Sequence, residues 1–281
     1  MPGRAIKASA IESIDAAVSR SVDAIAVDGG RDDRFLACVA EEEAVAFRYN
    51  GFSHAVMMAT PADLEDFALG FSLSEGVIGA PSDVSGMSIE RAESGIAIDI
   101  VLAGRCLHGY LSRRRVRQSR GYAGCGLCGV EDFESLPRPV ARICRSEPPA
   151  REAIIAALES LRSWQPLSRS THCAHAAAWV SPDGSIRAVR EDVGRHNALD
   201  KLIGAGLRGD FRTTQGFGLV TSRCSFEMVQ KAVAAGFPAL VFASAPTALA
   251  VRTAEAAGLR LYACLRERGP LLFANPAEIS S

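Results

Sequence analysis

A chain of 281 residues with 48% hydrophobic and 22% charged residues can bury a sizeable core, which sets it apart from disordered and fibrous proteins. Its formal net charge of −1 gives no global pull toward nucleic acid or an anionic membrane, so an anionic ligand must be met by a local basic patch. The first twenty residues lack the apolar run of a signal peptide, and the most apolar stretch, 237–251, is too short for a bilayer and holds Pro238 and Pro246; a cytoplasmic protein with no membrane partner is expected.

Residues 1–20 have no sustained periodicity and are expected to form a loose arm. Short strands are predicted at 34–39 and 44–49, with Asn50-Gly51 turning the chain into a third at 54–58. Thr60-Pro61 opens a predicted helix: Thr60 suits the cap, Pro61 the first helical position, and Asp63 and Glu65 the positive end of the dipole. Leu64, Phe67, Ala68 and Phe71 then share one face, and the helix is expected to stop near Gly76. Ile89 and the alternation over 96–102 add further strands. Residues 20–111 therefore read as a smaller N-terminal α+β domain with antiparallel strands.

Residues 112–150 differ. They are basic, rich in glycine and proline, and without a sustained apolar period, which predicts a loop or linker. Within them lies Cys125-Gly126-Leu127-Cys128-Gly129. Two thiols at this spacing can share a metal, close a disulfide, or hand a sulfur atom between them, and the flanking glycines leave the sulfurs accessible. Arg113, Arg114, Arg115, Arg117 and Arg120 lie just upstream; folded near the thiols, they would favour the nucleophilic thiolate. A structural zinc site takes four ligands in two close pairs, whereas the other cluster, His172, Cys173 and His175, is about 45 residues away. No histidine is followed two residues later by Glu, and Gly124 rather than proline precedes Cys125, so the zinc deaminase signature is absent. Cys38, Cys106 and Cys264 sit in apolar runs and are expected to be buried thiols.

Residues 151–281 have a clearer rhythm. A helix at 151–164 precedes a hairpin of 176–180 and 186–189 around Ser181-Pro182-Asp183-Gly184, and then a helix from about 196 to 205. Strands at 217–221, 239–243 and 259–265 alternate with helices at 226–235 and 247–257. That alternation predicts an α/β domain, with a largely parallel sheet covered by helices on both faces as a three-layer α/β/α arrangement. Ligands on such sheets bind beyond the carboxyl ends of the strands. Those ends are Thr221-Ser222-Arg223, residues 243–247, and Leu265-Arg266-Glu267-Arg268-Gly269.

Each polar run at these ends has two readings. Glu191-Asp192-Val193-Gly194-Arg195-His196-Asn197 either caps a helix through Asp192 or Asn197, or sets Arg195, His196 and Asn197 beside an anionic or guanine-containing ligand. Thr221, Ser222 and Arg223 can hold phosphate oxygens or serve as ordinary capping residues. Arg266 and Arg268 suit a pyrophosphate or a solvated loop. Gly204-Ala205-Gly206-Leu207-Arg208-Gly209 matches the dinucleotide fingerprint in letters, but it follows a helix rather than a strand and is a false positive. No aromatic residues interleave with the arginines of 113–120, which argues against nucleic acid.

Taken together in this order, several runs resemble the FdhD/NarQ family of formate dehydrogenase accessory proteins. They are Asn50-Gly51, Thr60-Pro61-Ala62-Asp63-Leu64, Leu69-Gly70-Phe71, Ser74-Glu75-Gly76, Cys125-Gly126-Leu127-Cys128-Gly129, Thr171-His172-Cys173-Ala174-His175, the run from Arg190 to Lys201, Thr221-Ser222-Arg223 and Ala245-Pro246-Thr247. The resemblance implies a sulfurtransferase that carries a persulfide on Cys125, with Cys128 as its partner. Sulfur would come from a cysteine desulfurase and pass to a molybdenum bis(molybdopterin guanine dinucleotide) cofactor before that cofactor enters formate dehydrogenase. It further implies that Cys264, Leu265, Arg266, Glu267, Arg268 and Gly269 contact the cofactor, that guanosine diphosphate is a partial mimic of it, that residues 151–281 resemble cytidine deaminases, and that the protein is a homodimer. A redox or metal-binding regulator using Cys125 and Cys128, and a non-catalytic cofactor chaperone, are the competing readings.

Overall fold

The computed structural model describes residues 17–28, 31–118, 143, 147–265 and 268–275. Among the described residues the first elements are a two-stranded antiparallel ribbon, β1 (Ser19–Asp28) and β2 (Arg31–Ala40). β3 (Glu43–Tyr49) and β4 (Phe52–Ala59) form a hairpin, closed by Asn50 and Gly51 with φ of 51° and 77°. Positive φ at both positions matches the twist of the strands, which is why this dipeptide turns here. α1 (Leu64–Ser74), β5 (Val84–Ala92), β6 (Gly95–Leu102) and α2 (Gly104–Gln118) follow. The four-stranded sheet has the order β4-β3-β6-β5. Val45, Phe47, Tyr49, Ile96, Ile98 and Ile100 alternate along β3 and β6 and are buried in one cluster with Leu64, Phe67, Ala68 and Phe71 of α1.

Three expectations are corrected in this half. β3 and β6 pair in parallel, not antiparallel. The long connection through β4, α1 and β5 lets the chain re-enter from the same end, which a tight turn could not do. Thr60 does not cap α1, which starts at Leu64 after Asp63 in the left-handed region at φ 52°. Every polar group of Thr60 is committed elsewhere: its N–H donates to Asp192 Oδ2 (3.1 Å), its hydroxyl accepts from Val193 N (3.1 Å), and its carbonyl accepts from Lys201 Nζ (2.9 Å). Finally, α2 carries helix to residue 118, into the stretch expected to be loop. Cys106, Leu107, Tyr110 and Leu111 form its narrow apolar stripe on the first core, while arginine sustains the remainder as a good helix former.

The second sheet has six strands in the order β12-β11-β10-β9-β7-β8. α3 (Arg151–Leu161) and α4 (Pro166–Thr171) lead into the hairpin β7 (His175–Val180) and β8 (Ile186–Asp192), then α5 (Arg195–Arg208). β9 (Phe217–Val220), α6 (Phe226–Ala234), β10 (Ala239–Phe242), α7 (Ala248–Ala257), β11 (Arg260–Leu265) and β12 (Gly269–Ala274) complete it. β9, β10 and β11 are parallel, but β7, β8 and β12 run antiparallel to their neighbours, so the sheet is mixed rather than largely parallel. β12, missed in the sequence, returns from β11 through a connection too short for anything but an antiparallel turn. Alternate strand residues divide between two clusters: Trp179, Val220, Leu240, Phe242 and Leu261 pack with α5, α6 and α7, while Val180, Phe217, Leu219, Val241 and Tyr262 pack with α3.

The two sheets are joined where α1 crosses α5 through glycines. A Cβ on Gly70 would lie 1.7 Å from the Asp200 carbonyl oxygen, and one on Gly204 would lie 1.8 Å from that of Asp66. Buried charges flank the crossing. Asp192 and Lys201, both fully buried, pair at 2.7 Å, and Asp192 also accepts from Gly194 N and from Asn197 Nδ2. Asp200 accepts from Lys231 Nζ (2.7 Å) and from the Ser74 hydroxyl (2.6 Å).

Candidate functional site

The carboxyl ends of β9, β10 and β11 open on one edge of the second sheet, where strand direction also brings the start of β7 and the end of β8. The loops after β9 and β10 are zipped together: Cys224 bridges Pro246, and Thr247 N donates to the Cys224 carbonyl (3.0 Å). Thr247 then caps α7, accepting from Ala250 N at 3.2 Å. Helices α5 and α6 start at this same edge, so their unpaired amides and positive dipole ends point to it.

Some expected site residues are occupied by the fold. The Thr221 hydroxyl accepts from Ala176 N (2.9 Å) and so pins β7 to β9. Ser222 is buried and its hydroxyl donates to the Arg223 carbonyl (3.0 Å). Asn197 is buried and donates its amide to Met58 O (2.8 Å) and to Asp192 Oδ1, tying α5 to the first sheet. Others face outward. Among the described residues neither Arg195, Arg223 nor Arg268 forms a side-chain ion pair or hydrogen bond, and Arg223 and Arg268 are exposed. Three uncommitted guanidiniums on an edge with two helix N-termini make a field suited to phosphate. Arg151, at the start of α3, was missed in the sequence because it read as a plain helix residue. Its Nη2 lies 3.4 Å from where a Cβ on Gly269 would sit, beside the loop that Gly269 closes at φ 68°.

His196 sits beneath this surface. Burial, then the nearby charges of Arg195 and Lys231, press its pKa down to about 4, so the imidazole is neutral at physiological pH. His175, at the start of β7, is lowered for the same leading reason, with Arg195 second. His196 Nε2 lies 2.9 Å from Glu227 Oε2, but the ring N–H is off line and no hydrogen bond forms. The hydroxyl of Ser225, the residue before α6, is likewise buried without a partner among the described residues.

The cysteine pair expected to carry the chemistry, Cys125 and Cys128, lies outside the described residues, as do Arg120, Arg266, Glu267 and the side chains of Arg114, Arg115 and Arg117. Arg113 donates to the Gly76 carbonyl (3.0 Å) and so ties α2 to the end of α1. Burial pushes the thiol of Cys224 up to about 12 and that of Cys264, at the end of β11, up to about 11, and it raises Cys106 as well. Such thiols are poor nucleophiles near neutral pH. Leu265 pairs with Gly269 across the β11–β12 turn. Among the described residues no group of three or more His, Cys, Asp or Glu could hold a metal ion, and no helix is long and apolar enough to cross a membrane.

A model of the FdhD/NarQ family matches residues 40–280. The chain belongs to the FdhD/NarQ family. It is 43% identical over 271 residues to a protein of Bordetella petrii named sulfur carrier protein FdhD, covering 96% of this chain and 95% of that relative. It is 48% identical over 241 residues to a protein of the same name from Cupriavidus necator, covering 86% of this chain and 83% of the other. Its fold is similar to a crystal structure described as a formate dehydrogenase accessory protein from Desulfotalea psychrophila, with a TM-score of 0.71, 22% identity, and coverage of 94% of this chain and all of the other. FdhD/NarQ membership therefore rests on sequence over most of the chain, and the mixed α/β architecture agrees with it.

Proposed function

We propose that this protein is a cytoplasmic sulfurtransferase serving formate dehydrogenase: it takes persulfide sulfur from a cysteine desulfurase and delivers it to a molybdenum bis(molybdopterin guanine dinucleotide) cofactor. The observation that carries the reading is similarity along most of the chain to proteins named sulfur carriers, in a sequence with one Cys-x-x-Cys pair. In this reading the Cys125 thiolate attacks the outer sulfur of the desulfurase persulfide. The sulfur–sulfur bond breaks, the desulfurase cysteine leaves as a thiolate, and Cys125 becomes the persulfide. Cys128 then attacks the inner sulfur of Cys125. A Cys125–Cys128 disulfide forms and sulfide departs to the cofactor, the two thiols supplying both electrons. Arg195, Arg223, Arg268 and Arg151 hold the phosphates of the cargo at the carboxyl edge, with Cys264 to Gly269 at its rim. The second sheet with its helices acts as a cytidine deaminase-like cofactor domain, and the protein works as a homodimer.

The test is mass spectrometry after incubation with a cysteine desulfurase and cysteine. A gain of one sulfur atom (about 32 Da) on the peptide holding Cys125, absent from Cys125→Ala, is the expected result. Bound zinc in place of the adduct would favour a metal-binding regulator. Binding of guanosine diphosphate without any adduct would favour a cofactor chaperone.

A further inference from the structure

Glu227 stands out at the carboxyl edge. Its side chain is 30% exposed, and among the described residues it accepts no hydrogen bond. The close contact to His196 does not neutralise it, because the imidazole is uncharged at neutral pH and its N–H is off line. The neighbouring cation Lys231 is committed to Asp200, with both carboxylate oxygens within 2.9 Å of Nζ. A half-buried carboxylate that accepts no hydrogen bond keeps a desolvation cost that a ligand donor can offset.

The surroundings specify the donor. Glu227 lies in the first turn of α6, where no side chain caps the helix, so the amides of Phe226, Glu227 and Met228 lack intrahelical partners. The Ser225 hydroxyl beside them is buried and unpaired. The edge thus presents N–H donors next to a two-oxygen acceptor. Guanine carries the complement on one side of its ring: the O6 acceptor beside the N1–H and 2-amino donors. Adenine places an N1 lone pair where guanine has a proton, and a lone pair facing a carboxylate is repelled. Arg195 precedes His196 and Arg223 lies two residues before Ser225, so cations for a phosphate arm flank the same spot.

We infer that Glu227 reads guanine, its carboxylate accepting from N1–H and the 2-amino group while the start of α6 donates to O6. This rests on the guanine-dinucleotide reading of the cargo and adds to it the residue that selects the base.

The experiment uses calorimetry on the full chain with four probes: the diphosphates of guanosine, inosine, adenosine and xanthosine. Wild type is expected to bind the guanosine probe about 10- to 100-fold more tightly than the inosine probe, which lacks the 2-amino group, and more tightly still than the adenosine probe. Glu227→Gln should lose about 10- to 100-fold toward the guanosine probe and gain affinity for xanthosine diphosphate, whose 2-oxo group accepts from the new amide. That gain cannot come from a misfolded protein. Glu227→Asp, which keeps the carboxylate, should still prefer guanosine over xanthosine diphosphate. Wild-type binding of the guanosine probe with the guanosine-over-xanthosine preference unchanged in Glu227→Gln overturns the assignment and leaves the cargo reading standing. Absence of binding by wild type overturns both.

Discussion

Gly204→Ala sets two effects of known sign against each other. In an ordinary helix interior the exchange is stabilising by about 1 kcal/mol, because alanine gives up less backbone entropy on folding. At Gly204 the new Cβ would meet the Asp66 carbonyl oxygen at 1.8 Å and its carbon at 2.5 Å, both backbone atoms that no rotamer change can clear. Reaching the 3.0 Å below which such contacts do not occur requires α1 and α5 to part by about 1.2 Å. A radial gap of about 1 Å forfeits up to half of the dispersion well for every atom along the crossing. The salt bridge of Asp66 with Arg190, at 2.7 Å, stretches with it. Overpacking of this kind costs roughly 1–3 kcal/mol and here lies at the upper end, so the net loss is about 2 kcal/mol after the helix gain. Urea unfolding of the full chain checks this, with Gly109→Ala as the control. Gly109 is also helical, but its added Cβ meets only Arg113 Nη1 at 3.8 Å, so that exchange should stabilise. Equal stabilisation by both substitutions would refute the close crossing of α1 and α5.

Lys201→Met should cost about 3–5 kcal/mol in the same assay, because it strands the fully buried Asp192 carboxylate. Adding Asp192→Asn should recover part of that loss, and an unchanged loss would show that the ammonium acts through packing alone. The folded pKa of His196, about 4 against an ordinary 6.5, means that the unfolded chain binds this proton more readily. Stability from this group is therefore complete above pH 6.5 and is lost as pH falls toward 4, with about 2 kcal/mol gone at pH 5. His196→Gln should flatten the profile by that amount, as read from urea midpoints at pH 7.5 and 5. Alkylation at pH 8 followed by peptide mapping should label Cys264 roughly 100-fold more slowly than an ordinary thiol, since burial holds it near 11. Labelling as fast as that of the exposed Cys173 would contradict its half-buried place at the end of β11.

Local signals were legible where they had one physical outcome. Asn50-Gly51 has few alternatives to a primed turn, and the alternation over 96–102 can bury its isoleucines only as a strand. Thr60 shows the limit. Its residue type suits a cap, yet Asp192, Val193 and Lys201, far along the chain, claim all its polar groups. The Gly204–Gly209 run was rightly set aside as a phosphate loop, but its roles could not be read: Gly204 admits α1, Gly206 faces the ring of Phe211, and Gly209 ends α5 at φ 101°. Likewise Arg190 was one residue in a polar run, although it joins Asp66 to Asp210 between distant elements.

The sequence by itself determined the β3–β4 hairpin, the alternation of strands and helices over 217–265, the α/β class, the thiol pair and the row of strand ends, because each depends on residues a few positions apart. Tertiary structure decided the parallel pairing of β3 with β6, which uncommitted arginines share the carboxyl edge, and that Glu227 stands there beside His196 without accepting a hydrogen bond. Those outcomes depend on which groups a folded neighbour has already satisfied, and such partners lie at sequence distances that periodicity and capping rules do not reach.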